Sequence, residues 1–164
     1  MKTLAELETV LTHTFESPMI LVEALTHTSF GHENKTTHNE RLEFLGDSVL
    51  NAATTALLYT TFPSRHEGAL SRLRARLVNT ETLAEIALEL GLDASLRLGV
   101  GEEASGGRQK PSILADTLEA VVGAVYMDAG PDKAATLVQG WMRPLITELH
   151  QNPVAKRASF RDPR

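Results

Sequence analysis

The sequence contains no cysteine. Disulfide bonds and cysteine-ligated zinc sites are therefore excluded. No apolar run approaches the roughly 20 residues that a transmembrane helix needs. The amphipathic, acid-bearing start MKTLAELETV is not typical of a signal peptide. We therefore expect a cytoplasmic protein that makes no membrane contact.

Strict alternation of apolar and polar residues, the pattern of half-buried strands, is also missing over any useful length. Apolar residues instead recur at helical spacing. The chain has 164 residues, of which 42% are hydrophobic, and this suits one globular domain with its own core. We therefore predict an all-α fold. The predicted helices cover about residues 3–13, 18–25, 40–59, 68–78, 80–90, 112–127 and 132–149.

Three segments are predicted to lie outside the helices. Residues 30–38 are polar, and residues 99–110 are rich in glycine and charge, so both are expected to be loops. Residues 151–164 contain two prolines and four basic residues against one acid. This composition is typical of a linker, so the predicted folded domain covers residues 1–150. Ser17 and Ser112 are expected to cap the helices that follow them.

The formal net charge is −5. Nucleic-acid-binding domains usually carry a basic surface, so this balance argues mildly against such a partner. Any proposal that involves a nucleic acid has to account for it.

A first acidic stripe lies in NERLEFLGDSVL, residues 39–50. On a helix, Glu40, Glu43 and Asp47 fall on one narrow side, opposite residues that can form core: Leu42, Leu45, Val49 and Ala53. The helix macrodipole favours acids in the first turn and accounts for Glu40 and in part for Glu43. Asp47 lies two turns in, beyond the reach of that effect.

A second acidic stripe lies in SILADTLEAVVGAVYMDAG, residues 112–130. Asp116 and Glu119 share a helix face with the small residues Ala115, Ala120 and Gly123. The bulky side chains of this helix point elsewhere. Small residues around carboxylates indicate that something approaches closely, most simply another helix.

Buried carboxylates need a counterpart, since an unpaired buried charge is costly. Two kinds of partner for these carboxylates are possible. Arginines of a neighbouring helix could pair with the acids, and Arg72, Arg74 and Arg76 are the candidates. A divalent cation is the other, because carboxylate oxygens suit Mg²⁺. Glu43 and Asp47 on one helix would then face Asp116 and Glu119 on the other as a four-carboxylate cage.

The residues from Asn39 to Ser48, NERLEFLGDS, resemble the signature of the ribonuclease III endonuclease domain. The similarity spans roughly residues 5–150 and is strongest with bacterial members. The first motif is long and contiguous, and the second follows at the expected distance. Further matching segments are residues 67–68, 70–74, 82–84, 106–107 and 112–120.

The resemblance implies an all-α homodimer with a catalytic valley between the subunits. By motif position, it assigns metal binding and catalysis to Glu43, Asp47, Asp116 and Glu119. Glu40 and Glu67 match further acids of the family near the valley. Phe44 matches the aromatic residue that packs into the partner subunit.

The activity implied by the resemblance is Mg²⁺-dependent cleavage of double-stranded RNA, with Mn²⁺ able to substitute. The products would carry 5′-phosphate and 3′-hydroxyl ends with short 3′ overhangs. The expected substrates are ribosomal RNA precursors and some messenger RNAs.

One departure concerns the end of the sequence. Bacterial members usually carry a double-stranded-RNA-binding domain after the nuclease domain, and we expect it next, but the sequence ends at Arg164. The acidic balance would then be understandable, since the valley must hold metal and the basic surface would sit largely on the other domain.

Two alternatives remain open. The first is a non-enzymatic RNA-binding or ribosome-associated relative with this fold, although such relatives tend to lose metal carboxylates and all four are present here. The second is an unrelated helical metal-binding or interaction domain whose acids pair with arginine.

Overall fold

The computed structural model describes residues 2–151 of the chain, and the predicted linker at 152–164 lies outside them. The described part is helical, and the prediction of an all-α fold is confirmed. The helices are α1 Leu4–Leu11, α2 Pro18–Ala24, α3 Thr28–Asn34, α4 Glu40–Thr61, α5 Glu67–Leu77, α6 Thr80–Glu89, α7 Leu92–Ser95, α8 Val100–Ala104, α9 Pro111–Ala129 and α10 Pro131–Gln151, with a 3-10 turn at Gly107–Gln109.

Extended structure within residues 2–151 is limited to an isolated parallel bridge between Thr26 and Arg97. This bridge joins the end of α2 to the segment before α8. None of the helices in this described part combines the length and the apolar character needed to cross a membrane.

The prediction of a loop at residues 30–38 is wrong over its first half, where α3 ends at Asn34. His27 caps this helix, since its Nδ1 accepts the backbone N–H of Ser29 at 3.2 Å. Gly31 is the buried residue of α3. The polar composition that indicated a loop belongs to the exposed side of a short helix.

The prediction of a flexible loop at residues 99–110 is also wrong, because α8 and the 3-10 turn lie there. The N-terminus of α8 is held by a remote side chain: both oxygens of the Glu33 carboxylate accept the backbone N–H of Val100 at 3.0 Å. Arg108 holds the 3-10 turn that follows α8, since it donates to the carbonyl oxygens of Asp93 and Leu96, each at 2.8 Å.

Both predicted serine caps need correction. Pro111 occupies the first turn of α9 and Lys110 precedes it, so Ser112 lies inside the helix. Ser17 does precede α2, but its side chain makes no capping hydrogen bond. The carboxylate of Asp128, at the end of α9, instead accepts the backbone N–H groups of Glu16 and Ser17, each at 3.1 Å.

The core is built around α9, and the other long helices pack on it. The bulky residues of α9 that the sequence places away from the acidic face are completely buried: Leu114, Leu118, Val121, Val122 and Val125. From α4, Leu42 and Ala53 are buried as predicted, whereas Leu45 and Val49 are only half-buried. Leu50 takes their place in the core.

Two glycines allow α4 and α9 to meet backbone to backbone. A Cβ atom added at Gly46 would overlap the backbone carbonyl oxygen of Glu119, and one added at Gly123 would overlap that of Leu42. The expectation that small residues mark the close approach of another helix is therefore confirmed. This contact brings the acidic stripe of α4 against the acidic stripe of α9.

Replacing Gly46 by alanine is expected to lower the free energy of unfolding by about 3 kcal/mol or more, because the methyl group fits only if α4 and α9 move apart. Urea unfolding followed by circular dichroism measures the loss. Gly140 is the matched control, since nothing lies within 4 Å of a Cβ added there. Gly140→Ala should keep the stability or raise it by up to about 1 kcal/mol. Equal midpoints for wild type and Gly46→Ala would contradict the described helix contact.

Candidate active site

The four carboxylates of the two acidic stripes line one cavity. It has a volume of about 640 Å³, and α4 contributes Glu43 and Asp47 while α9 contributes Asp116 and Glu119. Glu40 and Phe44 of α4 also line it, together with His27, Thr28, Asn39 and Ser48. Glu67, the remaining acid predicted for the site, is not in this lining. It begins α5, where its carboxylate accepts the hydroxyl of Ser71 at 2.6 Å.

The carboxylates are hydrogen-bonded to one another in pairs that link the two helices. Glu43 of α4 pairs with Asp116 of α9, and Asp47 of α4 pairs with Glu119 of α9. A hydrogen bond between two carboxylates requires a proton, since ionised carboxylates only accept. A proton retained on Glu43 or Glu119 would therefore allow such a bond to form.

Burial and mutual repulsion raise the pKa values of these groups. Burial, followed by the charge of Asp116, raises the pKa of Glu43 to about 7. Burial, followed by the charge of Asp47, raises the pKa of Glu119 to about 8. Burial also raises the pKa of Asp116. The cluster therefore keeps protons near neutral pH that isolated carboxyl groups would have lost.

The arginines considered as counterparts do not reach this cavity. Arg74 donates to the hydroxyl of Thr55 at 3.0 Å, and Arg72 and Arg76 line a different cavity with α10. The salt bridge of Lys110 with Glu102, at 2.8 Å, involves none of the four carboxylates. The structure therefore does not support the alternative in which these acids pair with arginines of α5.

The donor set suits a divalent cation, because four carboxylates from two facing helices offer hard oxygen ligands. In the described residues, however, no three acidic, histidine or cysteine side chains are already arranged to hold one ion. Because burial and neighbouring charges raise the pKa values of Glu43 and Glu119 to about 7 and about 8, holding a cation would require these groups to lose their protons.

Four residues of the lining were not predicted as site residues, namely His27, Thr28, Asn39 and Ser48, and two of them, His27 and Asn39, make hydrogen bonds that position the site. The Nδ1 atom of His27 lies 2.7 Å from the Ser29 hydroxyl and accepts the Ser29 backbone N–H, which leaves the ring proton on Nε2. Burial lowers the pKa of His27. Its neighbouring residues THTS give no local signal, because the ring is placed by contacts between α3 and the segment before α8, where Gly99 donates to Ser29 at 2.8 Å.

Asn39 is the second such residue and is 3% exposed. Its side-chain amide donates to the carbonyl oxygen of Ala24 at 3.2 Å, and its own carbonyl oxygen accepts the Glu43 N–H at 2.8 Å. It thereby ties the start of α4 to the end of α2. Asn39 opens the quoted acidic stretch, so its position there was a usable signal.

Comparison with known proteins gives one consistent result. A family model described as ribonuclease-III-like matches residues 17–145. Ribonuclease 3 of Thiobacillus denitrificans is 51% identical over 160 residues, which are 98% of this chain and 67% of that protein. Ribonuclease 3 of Thermobifida fusca is 56% identical over 131 residues, 79% of this chain and 55% of that protein. The chain thus spans about half to two thirds of the length of these relatives.

Solved structures agree with the sequence relatives. The nuclease domain of ribonuclease III from Campylobacter jejuni, a structure described for a region involved in dimer formation, superposes with a TM-score of 0.81 at 41% identity. That match covers 93% of this chain and all of the other. Dicer from Pichia stipitis matches with a TM-score of 0.65 at 30% identity, over 87% of this chain and 63% of that one.

Without divalent cations, the thermal midpoint is expected to fall as the pH rises from about 5 to about 8.5. Glu43 and Glu119 have folded pKa values of about 7 and about 8, above the ordinary 4.5. Between pH 4.5 and the folded pKa values, the folded chain binds more protons than the unfolded chain. Rising pH therefore favours unfolding in this range. Melting curves in EDTA across this range measure the effect.

The control for this pH profile is the double variant Glu43→Gln/Glu119→Gln, which cannot lose these protons. Its midpoint should change less across the same range. Parallel profiles for the variant and the wild type would show that the carboxylate cluster does not carry the pH dependence.

Proposed function

Because the chain belongs to the ribonuclease III family, we propose that it is an endonuclease that hydrolyses phosphodiester bonds of double-stranded RNA with divalent metal ions. The observation that carries the proposal is the meeting of four carboxylates from α4 and α9 in one cavity, without arginine or lysine in its lining. The proposed metal-binding and catalytic residues are Glu43, Asp47, Asp116 and Glu119.

Mg²⁺ is the proposed cofactor, and Mn²⁺ should substitute for it, since both accept carboxylate oxygens. When bound, the ions supply a water activated at neutral pH and stabilisation of the leaving 3′ oxygen. Glu119 is proposed as the pivotal ligand, because it projects from the largely buried α9 and has the most strongly raised pKa, about 8. Cation binding would displace its proton.

In the proposed reaction a water oxygen attacks phosphorus in line, and the bond from phosphorus to the 3′ oxygen breaks. The products carry a 5′-phosphate and a 3′-hydroxyl. Asn39 would keep Glu43 in place through its bond to the start of α4, and the Nε2–H of His27 would contribute a hydrogen-bond donor to an otherwise acidic lining.

A homodimer is proposed from the surface beside the carboxylates. Phe44 is 81% exposed and borders both the carboxylate cavity and a second cavity of about 970 Å³, which is lined in part by Ile20, Leu42, Leu45 and Met127. An exposed aromatic next to an apolar hollow suits burial by a second copy of the chain. Glu40 borders both cavities as well.

Two such sites in a symmetric dimer would cut both strands and leave short 3′ overhangs. Glu40 and Glu67 are proposed to border the resulting valley. Recognition would depend on the A-form shape, the phosphates and the 2′-hydroxyls, because the deep major groove of RNA does not admit side chains. Processing of ribosomal RNA precursors and messenger RNA in the cytoplasm follows as the proposed role, with a double-stranded-RNA-binding domain expected after this one.

Cleavage of a long end-labelled RNA duplex at low salt, with Mg²⁺ or with EDTA, tests the activity. Products should appear only with metal. Glu119→Gln should slow cleavage on the order of a hundredfold or more, since the metal contributes several kcal/mol to the transition state. Glu81→Gln, which removes a charge at the exposed start of α6, is the control and should cleave normally. Full activity of Glu119→Gln would contradict the assignment.

Dimerisation is tested by Phe44→Asp. The dissociation constant of the dimer should rise at least about thirtyfold in this variant. A buried aromatic contact is replaced by a charge that would have to be desolvated. Sedimentation over a range of concentrations measures this. Tyr59→Asp is the comparison, since Tyr59 is 72% exposed on the same helix but lies outside the apolar hollow. An unchanged dimer in Phe44→Asp would contradict the proposed interface.

A further inference from the structure

A separate cavity of about 490 Å³ lies between α5 and the last turns of α10 and shares no residue with the carboxylate cavity. Its floor consists of aliphatic side chains of α5 and α10. Its rim carries Phe62, Arg65, Arg72, Arg76 and His150. We refer to these five residues and the space between them as the basic groove.

The charge of the basic groove is the opposite of that of the whole chain. Three arginines line it and no acidic residue does, although the formal net charge is −5. Within residues 2–151, neither Arg65 nor Arg72 forms a salt bridge. Arg72 and Arg76 are four residues apart and lie on one face of α5. An anion bound in the groove would supply the counter-charge that Arg65 and Arg72 lack within residues 2–151.

The groove also presents flat faces beside its charges. The guanidinium carbon of Arg65 lies 4.2 Å from the centroid of the Phe62 ring, and the Phe62 and His150 ring centroids are 6.0 Å apart. An arginine stacked on a ring keeps the edge of its planar fork available for two oxygens of one phosphate. Arginine and aromatic faces together are typical of surfaces that hold nucleic-acid strands.

The positive charge of the basic groove limits which molecules can bind there. Residues 152–164 carry Lys156, Arg157, Arg161 and Arg164 against Asp162, so this part of the sequence has the same sign of charge as the groove. A polyanion is the complementary partner. We propose that the basic groove binds the phosphate backbone of an RNA strand outside the cleavage cavity. This inference rests on the proposed function for the identity of the polyanion.

Binding and cleavage have to be measured separately to test this. Fluorescence anisotropy of a labelled RNA duplex in EDTA reports binding alone, at several salt concentrations. Arg65→Gln/Arg72→Gln should weaken binding about tenfold and reduce the slope of log affinity against log salt by about 1 to 2, as expected for one or two lost phosphate contacts. The carboxylate cavity is unchanged in this variant, so cleavage at saturating RNA should keep its rate.

The matched control is Arg143→Gln, which removes an exposed arginine of α10 that does not line the groove. It should change affinity less than twofold. Arg65→Lys/Arg72→Lys keeps both charges and should retain most of the salt slope, which also separates a lost contact from a lost fold. Circular dichroism of each variant checks the fold directly.

An unchanged affinity and slope in Arg65→Gln/Arg72→Gln, or an equal loss in Arg143→Gln, would overturn the proposal. Wild-type protein that does not bind RNA in EDTA would overturn it as well. RNA that binds through the groove but is not cut with Mg²⁺ by the wild type would support the groove while contradicting the proposed nuclease activity.

Discussion

The backbone contact between α4 and α9 is the interaction on which the rest of the structure depends. Gly46 and Gly123 each face a carbonyl oxygen of the other helix, so the two axes lie closer than side chains would normally permit. This proximity brings Glu43 within hydrogen-bonding reach of Asp116 and Asp47 within reach of Glu119. The same contact thus closes the core on one side and assembles the carboxylates on the other.

The raised pKa values show that bringing these carboxylates together is unfavourable. Burial and neighbouring charges hold the pKa values of Glu43 and Glu119 at about 7 and about 8, because the metal-free cluster cannot carry four negative charges at low cost. The surrounding hydrophobic core, with α9 almost fully buried, supplies the stability that offsets this repulsion. A divalent cation, as proposed for this site, would offset the same repulsion.

The sequence was sufficient to predict features that depend on local periodicity and failed where remote side chains decide. The acidic stripes and the close approach of small residues could be read from spacing, because a helix places residues three and four apart on one face. Helices α3, α7 and α8 were missed. The N–H of Val100 is satisfied by Glu33, some 67 positions away in sequence, and His27 is oriented by packing that no local pattern encodes.

The carboxylate of Asp128 links the end of α9 to the start of α2 over 111 positions of sequence, measured from Ser17. The Ser17 side chain offers α2 no cap of its own, and Asp128 holds the two residues that precede the helix by accepting their backbone N–H groups. Contacts between positions so far apart in sequence are possible only when the tertiary fold brings both ends together. The position at which the chain enters α2 is accordingly set by the far end of α9 and not by residues next to it in sequence.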